Sequence, residues 1–354
     1  AAMDASVVLK VPVVVALAAV LLKALTPNHL GSPEPVDLRG RTYLLTGATS
    51  ELGRRHADAL VRWNASLVLP VRDVTHGRAL AEELAARYPS APAAVVEQLD
   101  LASLASVRRF AEAYTGPVDV LVHGAAVAGG QDVRRTADGF EECFQVNYLS
   151  AFLLTSLLLE RIERSDAGRI VHVSSQFHEL GSVSADAMRS EKALASNVAP
   201  RGSFADSKLA QLLFSAALAR RLRPGTVSVS LHAGALPETT RTGEPGNTFL
   251  IDLWRRVQDA IEHASRSAPS PDDAAKLRMH VSTHPALQSA NSSGRYYSPL
   301  RPPLRRCGRP AEDCAVAPMS AAAQDVALQE EVVNASCELL GLMDGLCGRS
   351  GHVN

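Results

Sequence analysis

Short apolar runs alternate with longer amphipathic stretches along most of the chain, from residue 41 onward. The short runs are rich in β-branched residues and largely lack polar alternation, which is typical of parallel strands covered on both faces. Six runs are predicted as strands, at 42–46, 66–71, 94–99, 118–123, 169–174 and 227–231. Helices are predicted at 52–63, 104–114, 148–164 and 204–221. Repeated βα units of this kind predict an α/β fold with a doubly wound, Rossmann-like parallel sheet in one domain.

A strongly apolar segment precedes the first predicted strand. Residues 5–25 include an unbroken apolar run at 11–22, with Lys10 and Lys23 on either side. The run alone is shorter than the roughly 20 residues that cross a bilayer core. The whole segment is long enough if both lysines extend their ammonium groups to the interfaces. We therefore predict an N-terminal membrane anchor helix within 1–25, with an apolar helix buried against a partner or its own domain as the alternative.

The amino-acid composition divides the rest of the chain into a linker, a folded domain and a tail. A Pro-rich linker is predicted over 26–37, a folded domain over 38–345 and a tail over 346–354. Within the domain, 299–313 carries four arginines and four prolines. This insertion is too polar to add core and too Pro-rich for a helix, so it is either a solvated loop or an arm that contacts an acidic partner or lipid headgroups.

Charge and cysteine content restrict the function classes. The net charge of −1 at pH 7 does not favour nucleic acid as a partner. The five cysteines lack C-x-x-C spacing and indicate neither a zinc site nor a disulfide framework. Cys307 and Cys314 would form a bridge only in an oxidising compartment, and two free thiols are the favoured alternative.

The turn after the first predicted strand reads TGATSELG and opens the first predicted helix, at 46–53. A glycine-rich turn is meaningful in this context, because helix N-termini bind phosphate. The turn resembles the TGxxxGxG cofactor loop of the short-chain dehydrogenase/reductase family. The resemblance implies that cofactor contacts come from five loop residues, namely Thr46, Gly47, Ser50, Leu52 and Gly53.

Further matches to that family follow in the expected order. Arg72, after the second strand, resembles the ribose-recognition position, where arginine implies NADP(H) rather than NAD(H). Asp100 and Leu101, after the third strand, resemble the adenine-contacting pair. The region 294–342 resembles the retinol-dehydrogenase-like branch, so the resemblance covers about 37–342.

The family's catalytic residues are matched only in part. Asn147 resembles the structural and proton-relay asparagine, Ser175 the substrate-positioning serine, and Lys208 the lysine of the YxxxK motif, which also contacts the cofactor. The tyrosine of that motif is the family's general acid/base, and here its position is Phe204. A phenyl ring cannot exchange a proton, and the loss of a general acid/base typically costs about 10²- to 10⁴-fold in rate.

Three other departures lie near the cofactor. Glu51 replaces a glycine that lets the backbone approach the pyrophosphate. Its carboxylate either adds charge and bulk beside the phosphates or turns outward and stabilises the helix dipole. The sequence HGAA at 123–126 replaces the family's NNAG, and AG at 233–234 replaces its PG turn.

Other side chains were considered as substitutes for the missing acid. Ser203 is adjacent to Phe204, but one helical step turns it through about 100° and away. His178 is a candidate acid, although a solvated or backbone-bonded histidine is the favoured interpretation. His232 is expected to serve in packing.

Two hypotheses follow. The favoured one is a catalytically inactive accessory subunit of a membrane protein complex, anchored through 5–25, which binds either no cofactor or NADP(H). The alternative is a membrane-anchored NADP(H)-dependent oxidoreductase acting on lipophilic, retinoid- or steroid-like alcohols or carbonyls, with 236–252 as a substrate lid. The mitochondrial inner membrane is the expected location and the endoplasmic reticulum the second choice.

Overall fold

A computed structural model of the chain describes residues 33, 35–128, 133–190, 200–232, 271–298 and 316–349, without the side chains of 200–203 and 271–273. Several predictions lie outside the described residues, namely the anchor at 5–25, the lid at 236–252, the insertion at 299–313, and Cys307 and Cys314.

An eight-stranded sheet forms the centre of the described fold, in the order β3-β2-β1-β4-β5-β6-β7-β8. All neighbouring strands are parallel except β7 and β8, which are antiparallel. The strands are β1 Thr42–Thr46, β2 Ser66–Val71, β3 Val95–Gln98, β4 Val120–His123, β5 Arg169–Ser174, β6 Val227–His232, β7 Tyr296–Tyr297 and β8 Val316–Ala317. The predicted doubly wound sheet is confirmed, and the six predicted strands match β1–β6.

Helices cover both faces of this sheet. They are α1 Glu51–Arg62, α2 Val74–Arg87, α3 Leu104–Ala113, α4 Ser150–Glu163, α5 Ala185–Arg189, α6 Pro200–Ala219, α7 Pro271–Thr283, α8 Ala321–Gln324 and α9 Val326–Leu340. Helices α1, α2 and α7 bury their apolar residues on one face. Helices α3, α4, α6 and α9 do so on the other. The two apolar layers explain why most strands read as nearly continuous hydrophobic runs.

One long helical stretch in the described part of the chain is apolar enough to cross a membrane. This stretch is Glu142–Glu163, and 83% of its most apolar 18 residues are buried inside the fold. The stretch packs α4 against the sheet and α6, for example through Phe152 and Phe214, whose ring centroids lie 4.5 Å apart. It is the core helix of the domain and is distinct from the predicted N-terminal anchor.

The C-terminal part of the described chain is joined covalently to α9. Cys337 and Cys347 form a disulfide with a Cα–Cα distance of 5.9 Å. The cysteine spacing indicates no disulfide framework, and this single bridge is a pairing that was not predicted from the sequence. Leu346 is buried, and Arg349 Nη2 donates to Glu163 at 2.8 Å. The segment predicted as a tail from 346 is therefore packed on the domain as far as Arg349.

The switch point of the sheet lies between β1 and β4. The chain adds β2 and β3 on one side of β1 and then crosses to the other side to form β4 and the later strands. Ligands of doubly wound sheets bind at the carboxyl edge beside this switch point. The register places Thr46 opposite His123, and His123 opposite His172. It also places Ser174 opposite His232. The motif residues of β1, β4, β5 and β6 thus end at one edge of the sheet.

Candidate active site

The loop between β1 and α1 requires glycine at two positions. Gly47 has a φ of 72°, and a Cβ on it would lie 2.6 Å from the Ala125 nitrogen. A Cβ on Gly53 would lie 2.1 Å from the Gly47 oxygen. Both distances are far below contact distance, so the loop, the start of α1 and the end of β4 approach each other more closely than any other residue would permit.

Ser50 closes the loop onto the helix. Its hydroxyl accepts from the Gly53 nitrogen at 3.1 Å and donates to the Gly47 oxygen at 2.8 Å. This N-cap holds the first turn of α1 at the switch point, where the helix N-terminus favours an anion. Leu52 is buried beneath the same turn. The loop residues predicted for cofactor binding are therefore brought together in a cradle that fits a dinucleotide's pyrophosphate.

Glu51 faces away from this cradle. Its side chain is about half exposed and pairs with Arg55 one helical turn later, at 3.2 Å. Of the two interpretations open for this residue, the outward orientation is the one observed. An exposed pair of this kind contributes a few tenths of a kcal/mol, about 0.3–0.5. The carboxylate therefore adds little charge to the pyrophosphate position.

Thr46 joins β1 to the end of β4. Its hydroxyl donates to the Val122 oxygen at 3.2 Å and accepts from the Gly124 nitrogen at 3.1 Å. These bonds link the two strands in a chain that lacks the family's asparagine. His123 is buried and bonds through Nε2 to the Thr155 hydroxyl at 2.7 Å. It therefore points into the core between β4 and α4 instead of toward the cofactor.

The residues predicted to hold the adenosine half follow β2 and β3. Arg72 is exposed at the end of β2, and its neighbour Asp73 caps α2 by accepting from the Thr75 nitrogen at 2.9 Å. Asp100 and Leu101 are half-buried at the end of β3. Asp100 accepts from the Ala102 nitrogen at 2.9 Å. An exposed guanidinium beside the second strand suits a 2′-phosphate.

Asn147 lies in a π-helical turn, Gln145–Leu149, that leads into α4. Such turns are frequent at functional sites because they re-aim side chains. The Asn147 amide donates to the Val127 oxygen at 2.9 Å and to the Ser207 hydroxyl at 3.0 Å. The side chain thus ties the segment after β4 to α6, which is the structural role predicted for it.

Lys208 is directed into the core. It is 2% exposed, and its Nζ donates to the Val173 oxygen at 2.9 Å and to Gln211 Oε1 at 3.0 Å. The Gln211 amide in turn donates to the Asn147 oxygen at 2.8 Å. Lys208, Gln211 and Asn147 therefore form one continuous hydrogen-bonded chain. Sequence analysis missed Gln211, although its position one helical turn after Lys208 is the signal that finds it.

Ser175 caps the short helix Gln176–Leu180. Its hydroxyl oxygen accepts from the Phe177 nitrogen at 3.3 Å, and the side chain is mostly buried. Ser174, the neighbouring serine, is fully buried and donates to the Lys208 oxygen at 2.9 Å. Of the two serines, Ser175 is the one whose hydroxyl hydrogen has no acceptor among the described residues and can be donated to a substrate.

Phe204 lies at the start of the described side chains of α6. Its ring contacts that of Phe177 edge-to-face, with centroids 5.9 Å apart, and Lys208 Nζ lies 5.5 Å from its centroid. The position that a tyrosine holds in the family is thus apolar and beside the retained lysine. No proton donor stands in its place among the described residues.

Neither His178 nor His232 is free to act as an acid at this edge of the sheet. His178 is buried, its Nδ1 bonds to the Ser175 oxygen at 2.8 Å and its Nε2 accepts from the Ser320 nitrogen at 3.2 Å. Burial lowers the pKa of His178. His232 is also buried, which lowers its pKa to about 4. Both side chains are therefore neutral at pH 7, and His178 is backbone-bonded as favoured from the sequence.

Burial also lowers the pKa of Lys208 to about 7, with a smaller contribution from the nearby Arg278 cation. In an unfolded chain a lysine titrates near about 10.4. Between these values the unfolded chain binds a proton that the folded protein does not, so the free energy of unfolding rises with pH. We expect wild type to gain about 2–4 kcal/mol relative to Lys208→Met from pH 7 to pH 10. Urea unfolding at each pH measures the difference, and a constant difference contradicts the assignment.

The strand order and the glycine loop at the switch point define a doubly wound, Rossmann-like α/β protein. Residues 41–245 match the family model for short chain dehydrogenases. The chain is 32% identical over 313 residues to mouse retinol dehydrogenase 12, covering 87% of this chain and 88% of that one. It is 33% identical to human retinol dehydrogenase 13, over 81% of this chain and 84% of that one.

Solved structures share the fold. A protein from Mycobacterium paratuberculosis is 26% identical with a TM-score of 0.62, over 88% of this chain and 97% of that one. A short chain dehydrogenase from Escherichia coli CFT073, complexed with NADPH, is 20% identical with a TM-score of 0.55, over 76% of this chain and all of that one. The chain therefore belongs to the short-chain dehydrogenase/reductase family, in its retinol-dehydrogenase-like branch.

Proposed function

We propose that this protein is an NADP(H)-dependent oxidoreductase that acts on lipophilic, retinoid- or steroid-like alcohols or carbonyls at a membrane. The observation that supports cofactor binding is the cradle of Gly47, Gly53 and the Ser50-capped helix, in which a Cβ on either glycine would meet backbone atoms at 2.1–2.6 Å and force the loop to move. The membership of a family of oxidoreductases supports the reaction type. The retinol dehydrogenases among its relatives support the substrate class.

The residues at the site can position a substrate, but they include no side chain at position 204 that can transfer a proton. When bound, the nicotinamide of NADP(H) supplies or accepts the hydride. Ser175 is placed to donate a hydrogen bond to the substrate oxygen. Phe204 and Phe177 present an apolar wall that suits a lipophilic substrate. Because Phe204 carries no proton, a water molecule must supply it, and we expect turnover to be slow.

A second candidate is the non-catalytic accessory subunit of a membrane complex. The observation that favours it is the pair formed by Phe204, which lacks a proton, and Lys208, whose hydrogen bonds are directed to Val173 and Gln211. The comparisons give this role no support. In that role the anchor at 5–25 would hold the domain on the bilayer. The mitochondrial inner membrane and the endoplasmic reticulum stay as predictions.

A purification and an assay separate the two candidates. The full chain is purified from its native membrane in mild detergent, its size is measured, and NADPH consumption is followed with a retinal-like aldehyde. Slow turnover that rises with protein concentration and stops without aldehyde supports the oxidoreductase. Absence of turnover together with migration in a large, stable assembly contradicts it and supports the accessory role.

The exposed guanidinium of Arg72 should set the cofactor preference. We expect Arg72→Ala to weaken NADPH binding about 10- to 100-fold and to leave NADH binding nearly unchanged, because one charge-assisted contact with the 2′-phosphate is lost. Titration of intrinsic fluorescence measures both dissociation constants. Arg62→Ala, at the exposed end of α1, is the control and should change neither. An equal loss for the two cofactors would contradict the assignment.

A further inference from the structure

Three arginines of the described residues are buried, and in two of them every side-chain nitrogen donates to a protein acceptor. Arg169 donates to the Val281 oxygen at 2.8 Å, to the His284 oxygen at 3.0 Å and to Gln288. Arg221 is the second, and its partners are Glu330 and the backbone oxygens of Ala217 and Arg349. Buried guanidinium groups in this fold are thus satisfied internally where their role is structural.

Arg278 is the exception. It lies on α7 and is 3% exposed, yet its Nε and Nη1 are buried with no hydrogen-bond partner in the part of the chain that the structure describes. No carboxylate among those residues pairs with it, and the titratable groups that feel its charge are Lys208 and His56, neither of which can neutralise a cation. An unpaired buried cation is costly, so it requires an acceptor from outside the described fold.

The guanidinium lies beside Gly124, the residue that follows β4 next to the candidate cofactor cradle. Its Nη1 is 3.8 Å from the position that a Cβ on Gly124 would take. Gly124 and Ala125 in turn form the wall against which Gly47 packs, at 2.6–2.8 Å from a Cβ built there. Arg278 and the glycine loop are therefore separated only by the backbone at Gly124 and Ala125.

The chemistry of this position selects an anion. The N-terminus of α1 favours negative charge at the loop, and Arg278 adds a positive charge beside Gly124, in buried surroundings where screening by water is weak. A diphosphate presents several acceptor oxygens to a guanidinium. A neutral ligand would leave the cation unpaired.

We propose that Arg278 is a binding residue for the diphosphate of the dinucleotide, reaching it from the α7 side of the glycine loop. This inference rests on the cofactor part of the proposed function. It gives α7 a direct role in nucleotide recognition, and it assigns an acceptor to a buried guanidinium that the described fold leaves unpaired.

The test uses the full chain in detergent with three variants. Arg278→Met removes the charge at similar volume, Arg278→Lys retains a cation, and Arg169→Met is the control for a structural buried arginine. Binding of NADPH and of adenosine 2′-monophosphate, which lacks the diphosphate, is titrated at two salt concentrations. Thermal unfolding of the free proteins is recorded alongside.

We expect Arg278→Met to weaken NADPH binding about 10- to 100-fold and to reduce its salt dependence, since a charge-assisted contact is lost. Binding of adenosine 2′-monophosphate should stay within about twofold. Arg278→Lys should recover part of the NADPH affinity. The free Arg278→Met protein should melt at the same or a higher temperature than wild type, because an unpaired buried charge is gone, whereas Arg169→Met should melt lower.

The outcomes separate this inference from the proposed function. Equal NADPH binding by wild type and Arg278→Met overturns the inference and leaves the function standing, as does a loss of melting temperature like that of Arg169→Met. If wild type binds no NADPH, the proposed function fails, and inorganic pyrophosphate becomes the probe. A rise in melting temperature with pyrophosphate in wild type, absent in Arg278→Met, then supports the anion site alone. No rise in either protein overturns both.

Discussion

Replacing Phe204 with tyrosine is expected to raise the rate of NADPH-dependent carbonyl reduction by about 10²- to 10⁴-fold. The change restores a phenol at the position where the family holds its general acid. Lys208 Nζ already lies 5.5 Å from the centre of that ring. In its protonated form Lys208 would lower the pKa of that phenol, because an ammonium stabilises the phenolate. Steady-state kinetics of both proteins with a retinal-like aldehyde measure the gain.

Phe177→Tyr is the matched control for this experiment. Its ring contacts that of Phe204 and is partly exposed, so the change adds a phenol to the same apolar wall outside the catalytic position. We expect the control to stay close to wild type. Equal activity of Phe204→Tyr and wild type, with NADPH binding intact, would show that the missing phenol does not limit the rate and that the site is degenerate at other residues too.

Gly53→Ala is expected to weaken dinucleotide binding by more than about 100-fold, which is the loss of one to two strong contacts. The added Cβ would stand 2.1 Å from the Gly47 oxygen and 2.8 Å from the Ala48 Cα. Both neighbours are backbone atoms, so the loop itself must move and the cradle opens. Overpacking of this kind also costs about 1–3 kcal/mol of stability.

Gly348→Ala provides the comparison, since its Cβ would meet its nearest neighbour at an ordinary 3.5 Å. Fluorescence titration with NADPH and urea unfolding are applied to both variants. The loop assignment is contradicted if Gly53→Ala binds NADPH as wild type does. A loss of stability without a loss of affinity would show that the close approach serves packing of α1 alone.

Of the two main departures from the family pattern, Glu51 and Phe204, only Phe204 still argues for an inactive protein. Glu51 pairs with Arg55 and leaves the phosphate position clear. The substitution of glycine by Glu51 is therefore a weaker argument for a degenerate site than the sequence suggests. Phe204 still argues for an inactive site, because no neighbouring side chain in the described fold substitutes for a phenol. The accessory-subunit hypothesis therefore rests on a missing proton donor and not on a blocked cofactor site.

The sequence by itself determined the fold class, the strands β1–β6 and the family. These follow from local patterns, since apolar runs and glycine turns have the same meaning wherever the chain places them. It also determined that position 204 cannot donate a proton, which is a property of the phenyl ring alone. Asn147, Ser175 and the loop glycines were found in the same way.

Only the tertiary structure decided where side chains point and what they contact. Lys208 Nζ donates to the Val173 oxygen, 35 residues away, and His178 Nε2 accepts from the Ser320 nitrogen, 142 residues away. The placement of Arg278 beside Gly124 depends on how α7 packs on the domain, and the pairing of Cys337 with Cys347 depends on how the chain folds back after α9. Long-range contacts of this kind leave no periodic trace, because each is a single meeting of two elements and not a repeated pattern.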